Sequence, residues 1–520
     1  MKKLPIGIQT FSEIRAGNYA YVDKTGIAVD LITRYKYCFL SRPRRFGKSL
    51  FVDTLHNLFE GKKELFEGLA ADTAHNWSKK HPVIKISFGG GNFRSMEMVQ
   101  ISIRETLWDN ERRLGVSCGI SAVSAGFGRL IKAVKEQYGQ PVVILIDEYD
   151  KPILDNIDQP QIALEVREEL KAFYSVIKDN DAHIRFAFLT GVSKFPKVSI
   201  FSGINNIEDI SLTPEFSAIC GYTQKDLETV FSQHLQGADM AQVRLWYDGY
   251  HFLGENVYNP FDILLFLRGR KQFKNYWFET GTPSFLIKLL QKQRFFLPQL
   301  SNIKAGDELL SSFDVDNITP VPLLFQTGYL AIKEVRQRDT FISYTLGFPN
   351  LEVSAAFNSS LVDLFSENAQ RNEMQMNMYF ALADQDLDQF KTAIHALFAA
   401  IPYHNYTNNE IARYEGFYAS VIYAWLASSR LCLTVEDCTN KGRIDMSVEM
   451  DEIIYLIEFK VDMPQNAALE QIKLKNYHEK YQSKGKKIIL IGIGFSSEER
   501  NVTEFLWEQV LAHHHTQDTR

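Results

Sequence analysis

The short basic segment Ser41-Arg42-Pro43-Arg44-Arg45-Phe46-Gly47-Lys48-Ser49 constrains the fold of this chain more than any other feature. Residues 30–40 read as a helix running into a short apolar strand, Tyr37-Cys38-Phe39-Leu40. A helical pattern follows from Ser49 through Phe59. Glycine, lysine and a hydroxyl residue between a strand and a helix form a phosphate-binding loop. Its backbone N–H groups and the helix N-terminus face the anion. Lys48 neutralises the outer phosphate oxygens, and the Ser49 hydroxyl binds Mg²⁺. The loop departs from the usual pattern at its first glycine, where Arg42 stands. Arg42, Arg44 and Arg45 are candidate phosphate contacts, and Phe46 and Gly47 complete the loop.

A lone Gly-Lys-Ser tripeptide is weak evidence, so the partner strand matters. Residues 141–146 form a continuous apolar run, as in a strand buried on both faces, and the run ends in Asp147-Glu148. In ATPases built on such loops, this Asp enters the Mg²⁺ shell and the following Glu polarises the attacking water. Two carboxylates at a buried strand end cost several kcal/mol unless a cation or donor compensates. The alternative is the exposed start of a loop. Further strands at 82–88 and 184–190 and a helix at 161–178 give the alternation of a parallel α/β sheet. Thr190, at the end of the later strand, is a candidate γ-phosphate sensor; the alternative is an ordinary strand-ending turn.

Beyond about residue 215 strand signals fade. Residues 222–400 read as mostly helical, with aromatic islands at Trp246-Tyr247-Asp248-Gly249-Tyr250 and Tyr276-Trp277-Phe278. Strands return at 431–436, 444–449, 453–460 and 487–495, with helices at about 408–428 and 466–482.

A second constellation lies there. In Ile457-Glu458-Phe459-Lys460, Glu458 and Lys460 point to one face of a strand and Phe459 to the other. A hairpin would bring Asp445, in Gly442-Arg443-Ile444-Asp445, beside Glu458. Carboxylates of Asp445 and Glu458 suit Mg²⁺ or Mn²⁺. Such a cation activates water and stabilises charge on a phosphate. Lys460 would orient that water or stabilise the developing charge. Glu415 upstream could contact the metal, and Gln471 opens a helix whose lysines Lys473 and Lys475 face a nucleic-acid backbone or simply solvent. Taken alone, Glu-x-Lys is as readily a surface ion pair.

Tyr21-Val22-Asp23-Lys24-Thr25, the Arg-Pro-Arg-Arg-Phe-Gly-Lys-Ser loop and Ile146-Asp147-Glu148-Tyr149-Asp150 resemble the AAA-ATPase-like family common in gut and oral anaerobic bacteria. Members often carry a C-terminal PD-(D/E)XK nuclease domain, and the Glu415…Asp445…Glu458-x-Lys460…Gln471 order resembles that superfamily. The resemblance implies an α/β P-loop NTPase core, a helical lid and linker, and a C-terminal αβββαβ restriction-endonuclease-like domain. The expected boundaries are 1–215, 216–400 and 401–520. It implies ATP and Mg²⁺ or Mn²⁺ as cofactors and nucleic acid, DNA above all, as partner, with homo-oligomer formation left open. The alternative is a nucleotide-sensing switch whose nuclease fold binds without cutting.

Bulk properties narrow the class further. At 520 residues the chain calls for two or three domains. A formal charge of -6 offers no global attraction for nucleic acid, so any grip must be local. The five scattered cysteines form no CxxC pair, which argues against a zinc site and fits a reducing cytoplasm. No stretch reaches the roughly 20 apolar residues of a membrane span.

Overall fold

The computed structural model describes residues 1–119, 122–195, 200, 201, 203, 204, 206–278, 284–292, 295–306, 318–362, 368–401 and 415–510. His404, Tyr414 and the histidine run at 513–515 lie outside them. The chain forms two compact units. One comprises Met1–Thr280 and Lys304–Asn350, the other Gly281–Ile303 and Leu351–Arg520. Among the described residues no helix is long and apolar enough to cross a membrane. All five cysteines are free thiols.

The first unit is built on β1 (Tyr37–Ser41), β2 (Val83–Ser87), β3 (Val142–Asp147), β4 (Ile184–Gly191) and β5 (Glu208–Asp209). They lie in the order β2-β3-β4-β1-β5, and every pairing is parallel. Every residue of β3 is buried, as its apolar run requires. Helices Lys48–Phe59, Met96–Leu114, Val123–Tyr138 and Pro160–Asp179 accompany the sheet. The last buries Ala163, Val166, Leu170, Phe173, Tyr174 and Ile177, an apolar stripe at helical spacing. Register sets the ends of the strands level: Ser41 pairs with Gly191, and Ser87 with Asp147. The loop after β1 and the carboxylates after β3 therefore emerge at the same end of the sheet, with β4 between them.

The rest of this unit carries the expected helices, including Gln224–Val230, Met240–Tyr247, Pro260–Arg268 and Pro320–Thr327. It also holds strands that the helical reading of 222–400 lacks. These are the short pair β6 (Tyr250–His251) and β7 (Asn256–Val257), and the sheet β8 (Ile303–Gly306), β10 (Phe341–Gly347), β9 (Ala331–Arg338). Only Ala331 and Ile332 of β9 are buried, so no apolar alternation marks it.

The second unit is a mixed sheet in the order β11 (Cys432–Cys438), β12 (Arg443–Glu449), β13 (Ile453–Val461), β14 (Lys487–Ser496), β15 (Asn501–Gln509). β13 and β14 run parallel, and the other neighbours antiparallel. Helix Glu415–Ser428 precedes β11, and helix Ala467–Leu474 joins β13 to β14. The order is αβββαβ, with β15 added at the edge. Helix Glu415–Ser428 is buried from Phe417 to Ala427. The helix expected over 466–482 ends at Leu474, because Asn476 adopts a left-handed conformation (φ 49) that a helix cannot continue through.

Candidate active sites

The loop after β1 turns into its helix at Gly47, whose φ of 91 favours glycine. Lys48 is the first helical residue and is buried. Its ammonium spans the loop, donating to the Arg42 and Pro43 carbonyls at 2.9 Å each. Burial pulls its pKa below that of an ordinary lysine, while Asp147, Glu148 and Asp150 oppose the effect. Asp147 is 4% exposed, and its Oδ1 has no hydrogen-bond partner. Glu148 adopts a left-handed backbone (φ 53), rare for a residue with a Cβ. Around it, the Tyr149 N–H donates to the Thr190 carbonyl and the Lys151 N–H to the Glu148 carbonyl. Burial, then Asp147, raises the Glu148 carboxyl pKa.

Gly47, Lys48, Glu148 and Asp150 meet at a cleft of about 510 Å³, within the size of a small-molecule site, while Asp147 is not among its lining residues and lies next to them at the end of β3. Arg44, Arg45, Lys48, Ser49, Glu148 and Asp150 are among its polar lining residues, with Gln9, Lys151 and Asp155. Ile8, Tyr222, Phe261 and Leu264 line an apolar part. An orphaned buried carboxylate oxygen, a buried lysine and a serine at a helix start fit a triphosphate with a hard divalent cation. Lys48 and the loop would hold the phosphates, and Ser49 and Asp147 the cation.

Arg42 and Thr190, expected at the phosphates, do not line this cleft. The Arg42 guanidinium is buried, donates to the carbonyls of Ser41, Ser211, Phe216 and Ser217, and lies 3.8 Å over the Phe252 ring. It braces the loop from behind where a glycine usually stands. The Thr190 hydroxyl donates to the Leu40 carbonyl and so ties β4 to β1. Phe46 is also turned inward, against Tyr250 and Phe252.

Three side chains around the loop carry no sequence signal as a group. Asn259 Nδ2 and Trp277 Nε1 both donate to the Arg44 carbonyl, and Phe261 lies beneath the Arg45 guanidinium at 4.8 Å. Buried Asp150 accepts from the Val192 and Ser193 N–H groups and the Ser193 hydroxyl, locking the end of β3 to that of β4. Asp23 and Lys24 brace neighbouring elements. Asp23 accepts from Thr25 and the Ala70 N–H, and Lys24 pairs with Asp226 at 2.8 Å.

The second site lies where β12 and β13 part. Their pairing runs only to Met446 and Ile457. Beyond it the Phe459 N–H donates to Asp445 Oδ2 at 2.8 Å, and the Asp445 N–H to Glu458 Oε2 at 3.4 Å. The carboxylates thus replace strand carbonyls as acceptors. β14 stays paired with β13 through Val461. At Gly492 it lets helix Ala467–Leu474 approach so closely that a Cβ would lie 2.5 Å from the Leu469 nitrogen. That packing delivers Gln471, whose amide donates to Glu458 Oε1. Lys460 Nζ lies 3.3 Å from the same oxygen, 2.7 Å from the Phe459 carbonyl and 3.7 Å from Glu415 Oε1. The structure therefore gathers Glu415, Asp445, Glu458, Lys460 and Gln471 at one place.

Glu458 is 1% exposed. Burial, then Asp445, pushes its carboxyl up to about 8. Burial also raises Asp445 and Glu415. For Lys460 burial acts downward, but Glu458, Asp445 and Glu415 outweigh it and raise its pKa. Among the described residues no three His, Cys, Asp or Glu side chains form a metal cage. A hard cation here would draw on Asp445, Glu458 and the Phe459 carbonyl, with water completing its shell. The Lys460 ammonium already touches two of those three groups, so the donor set suits positive charge.

The lysine run after Gln471 is largely paired. Lys473 bonds Glu508, Lys480 bonds Asp437, Lys484 and Lys486 bond Glu449, and Lys487 bonds Gln385.

The AAA-ATPase-like family, described as "Predicted AAA-ATPase", matches residues 5–201. The PD-(D/E)XK nuclease superfamily matches residues 413–505. A protein of Azotobacter chroococcum mcd 1, described as "Uncharacterized protein in vnfD 5'region", is 49% identical over 513 residues, spanning 98% of this chain and 99% of its own. The chain belongs with that protein to a family in which an AAA-ATPase-like domain is followed, in one polypeptide, by a domain of the PD-(D/E)XK nuclease superfamily.

Proposed function

We propose that this chain is an ATP-controlled nuclease that hydrolyses DNA phosphodiester bonds with a divalent cation. The observation that carries the reading is the convergence of Asp445, Glu458, Lys460 and Gln471 where β12 and β13 part. Asp445 and Glu458 would hold the cation, which lowers the pKa of water and offsets charge on the scissile phosphate. Lys460 would orient the attacking water and stabilise the charge that develops in the transition state. Gln471 fixes the Glu458 carboxyl, and Glu415 shares the Lys460 ammonium. In the other unit Lys48 and the loop N–H groups would bind the triphosphate, and Glu148 would polarise the water that attacks it. We place the ATP-binding part at 1–215, a lid and linker that carries β6 to β10 among its helices at 216–400, and the nuclease part at 401–520.

A second reading, binding without cleavage, draws support from the absence of a three-carboxylate or histidine cage among the described residues. The two separate in one assay. Supercoiled plasmid and single-stranded DNA are incubated with the protein in Mg²⁺ or Mn²⁺. Cleavage should appear, with Asp445→Ala and Lys460→Ala each slower by about 100-fold or more. An inert wild type on both substrates favours the binding reading.

A further inference from the structure

The ribbon of β9 and β10 projects from the first unit with its outer half in solvent. Every residue from Lys333 through Phe341 is exposed. Residues directly opposite in an antiparallel pair share a face. Arg338 pairs with Phe341, Arg336 with Ser343, and Glu334 with Thr345. One face therefore carries Glu334, Arg336 and Arg338 on β9, and Phe341, Ser343 and Thr345 on β10. Lys304 joins this face from β8, donating to the Thr345 hydroxyl.

The charges do not balance. Three cations, Lys304, Arg336 and Arg338, share this face with one acid, Glu334, which pairs with both Lys304 at 4.0 Å and Arg336, and Asp339 lies in the turn, so the ribbon end keeps one positive charge in excess. This positive island stands on a chain of net charge -6. Arg336 pairs with Glu334 at 2.9 Å, but the two side chains are 72% and 46% exposed, so the pair is weak and readily exchanged. Arg338 has no ion pair among the described residues. Phe341, directly across from it, is 70% exposed. A lone exposed phenylalanine means little. A phenylalanine beside two arginines spaced about 7 Å apart along a strand offers a stacking surface next to phosphate-binding groups.

We propose that this face of the ribbon binds single-stranded nucleic acid. Arg336, Arg338 and Lys304 meet the phosphates, and Phe341 stacks on an unpaired base. A bare β-ribbon could enter a duplex groove, but a ring at its tip needs a base outside the stack. Serine and threonine between the cations add phosphate donors. The inference is independent of phosphodiester cleavage and of the Asp445 site.

The test is fluorescence anisotropy of the full chain with short labelled single-stranded DNA, single-stranded RNA and duplex DNA across a salt series. The double variant Arg336→Ala/Arg338→Ala should bind single strands at least about tenfold more weakly, with the salt slope reduced by about 1.4. Phe341→Ala should weaken single-strand binding about tenfold, and Phe341→Tyr should restore it. ATP binding should be unchanged in all three, which shows that the fold is intact. Unchanged affinity and slope in the double variant would overturn the proposal. So would duplex bound as tightly as single strands, or a poly-glutamate peptide that competes as well as an oligonucleotide. Loss of cleavage in Asp445→Ala bears only on the nuclease site, so the two ideas fail separately.

Discussion

Asp147 and Glu458 are the residues on which most depends, because each holds a carboxylate where water is scarce. Asp147 leaves an oxygen without a partner, and burying such a group costs about 1–3 kcal/mol or more. A cation shared with Ser49 removes that cost, so nucleotide with Mg²⁺ should raise the melting temperature far more than nucleotide with EDTA. Calorimetry or a dye-based melt reads this directly, and equal shifts would separate Asp147 from the cation. Lys48→Ala should weaken ATP binding by about 100-fold, and titration calorimetry measures it. Glu148→Gln should keep ATP affinity and lose hydrolysis, and undiminished phosphate release would remove Glu148 from its role. Glu458 gives a pH signature. Its folded pKa of about 8 stands above the 4.5 of an ordinary glutamate. The native state therefore holds a proton that the unfolded chain releases from about pH 4.5 upward. That contribution to stability is complete below about pH 4.5 and is lost as pH rises to about 8. Metal-free protein should melt at progressively lower temperature over this window, and Glu458→Gln should flatten the trend.

At the scale of elements, the phosphate loop owes its shape to parts distant in sequence. Asn259 caps helix Pro260–Arg268 by accepting from the Phe261 N–H and also donates to the Arg44 carbonyl. Asn259→Ala should cost about 1 kcal/mol of stability and weaken ATP binding several-fold, while DNA cleavage measured without ATP stays unchanged. An Asn259→Ala protein with wild-type ATP affinity would show that the loop holds its form unaided. Legibility in the sequence follows the same division. β3 and β14 are legible because burial on both faces demands unbroken apolar runs. Asp445, Glu458 and Lys460 are legible because strand alternation and the hairpin place them together, whereas Glu415 and Gln471, on helices, are legible only through the resemblance to the nuclease superfamily. β9 is illegible because six of its eight residues face solvent, so no apolar period survives. Arg42 misleads because an arginine beside a phosphate loop reads as a phosphate ligand. Nothing local reveals the four backbone carbonyls that take it inward. Asn259, Trp277 and Asp150 were invisible as site residues for the same reason: their partners come from far along the chain.

For the whole molecule, one polypeptide carries a cleft lined by the phosphate loop in one unit and a carboxylate–lysine cluster in the other. The likeness to the Azotobacter protein, 49% identical, runs over 98% of this chain and so spans both units. Two such sites in one chain are expected to be used together, with ATP governing when DNA is cut. The most direct test is the rate of plasmid cleavage in Mg²⁺ with and without ATP, for wild type, Lys48→Ala and Asp445→Ala side by side. ATP should change the wild-type rate at least severalfold, Lys48→Ala should cut at one ATP-insensitive rate, and Asp445→Ala should cut slower by about 100-fold or more. A wild type whose cleavage is identical with and without ATP, or an Asp445→Ala protein that cuts as fast as wild type, would contradict the account.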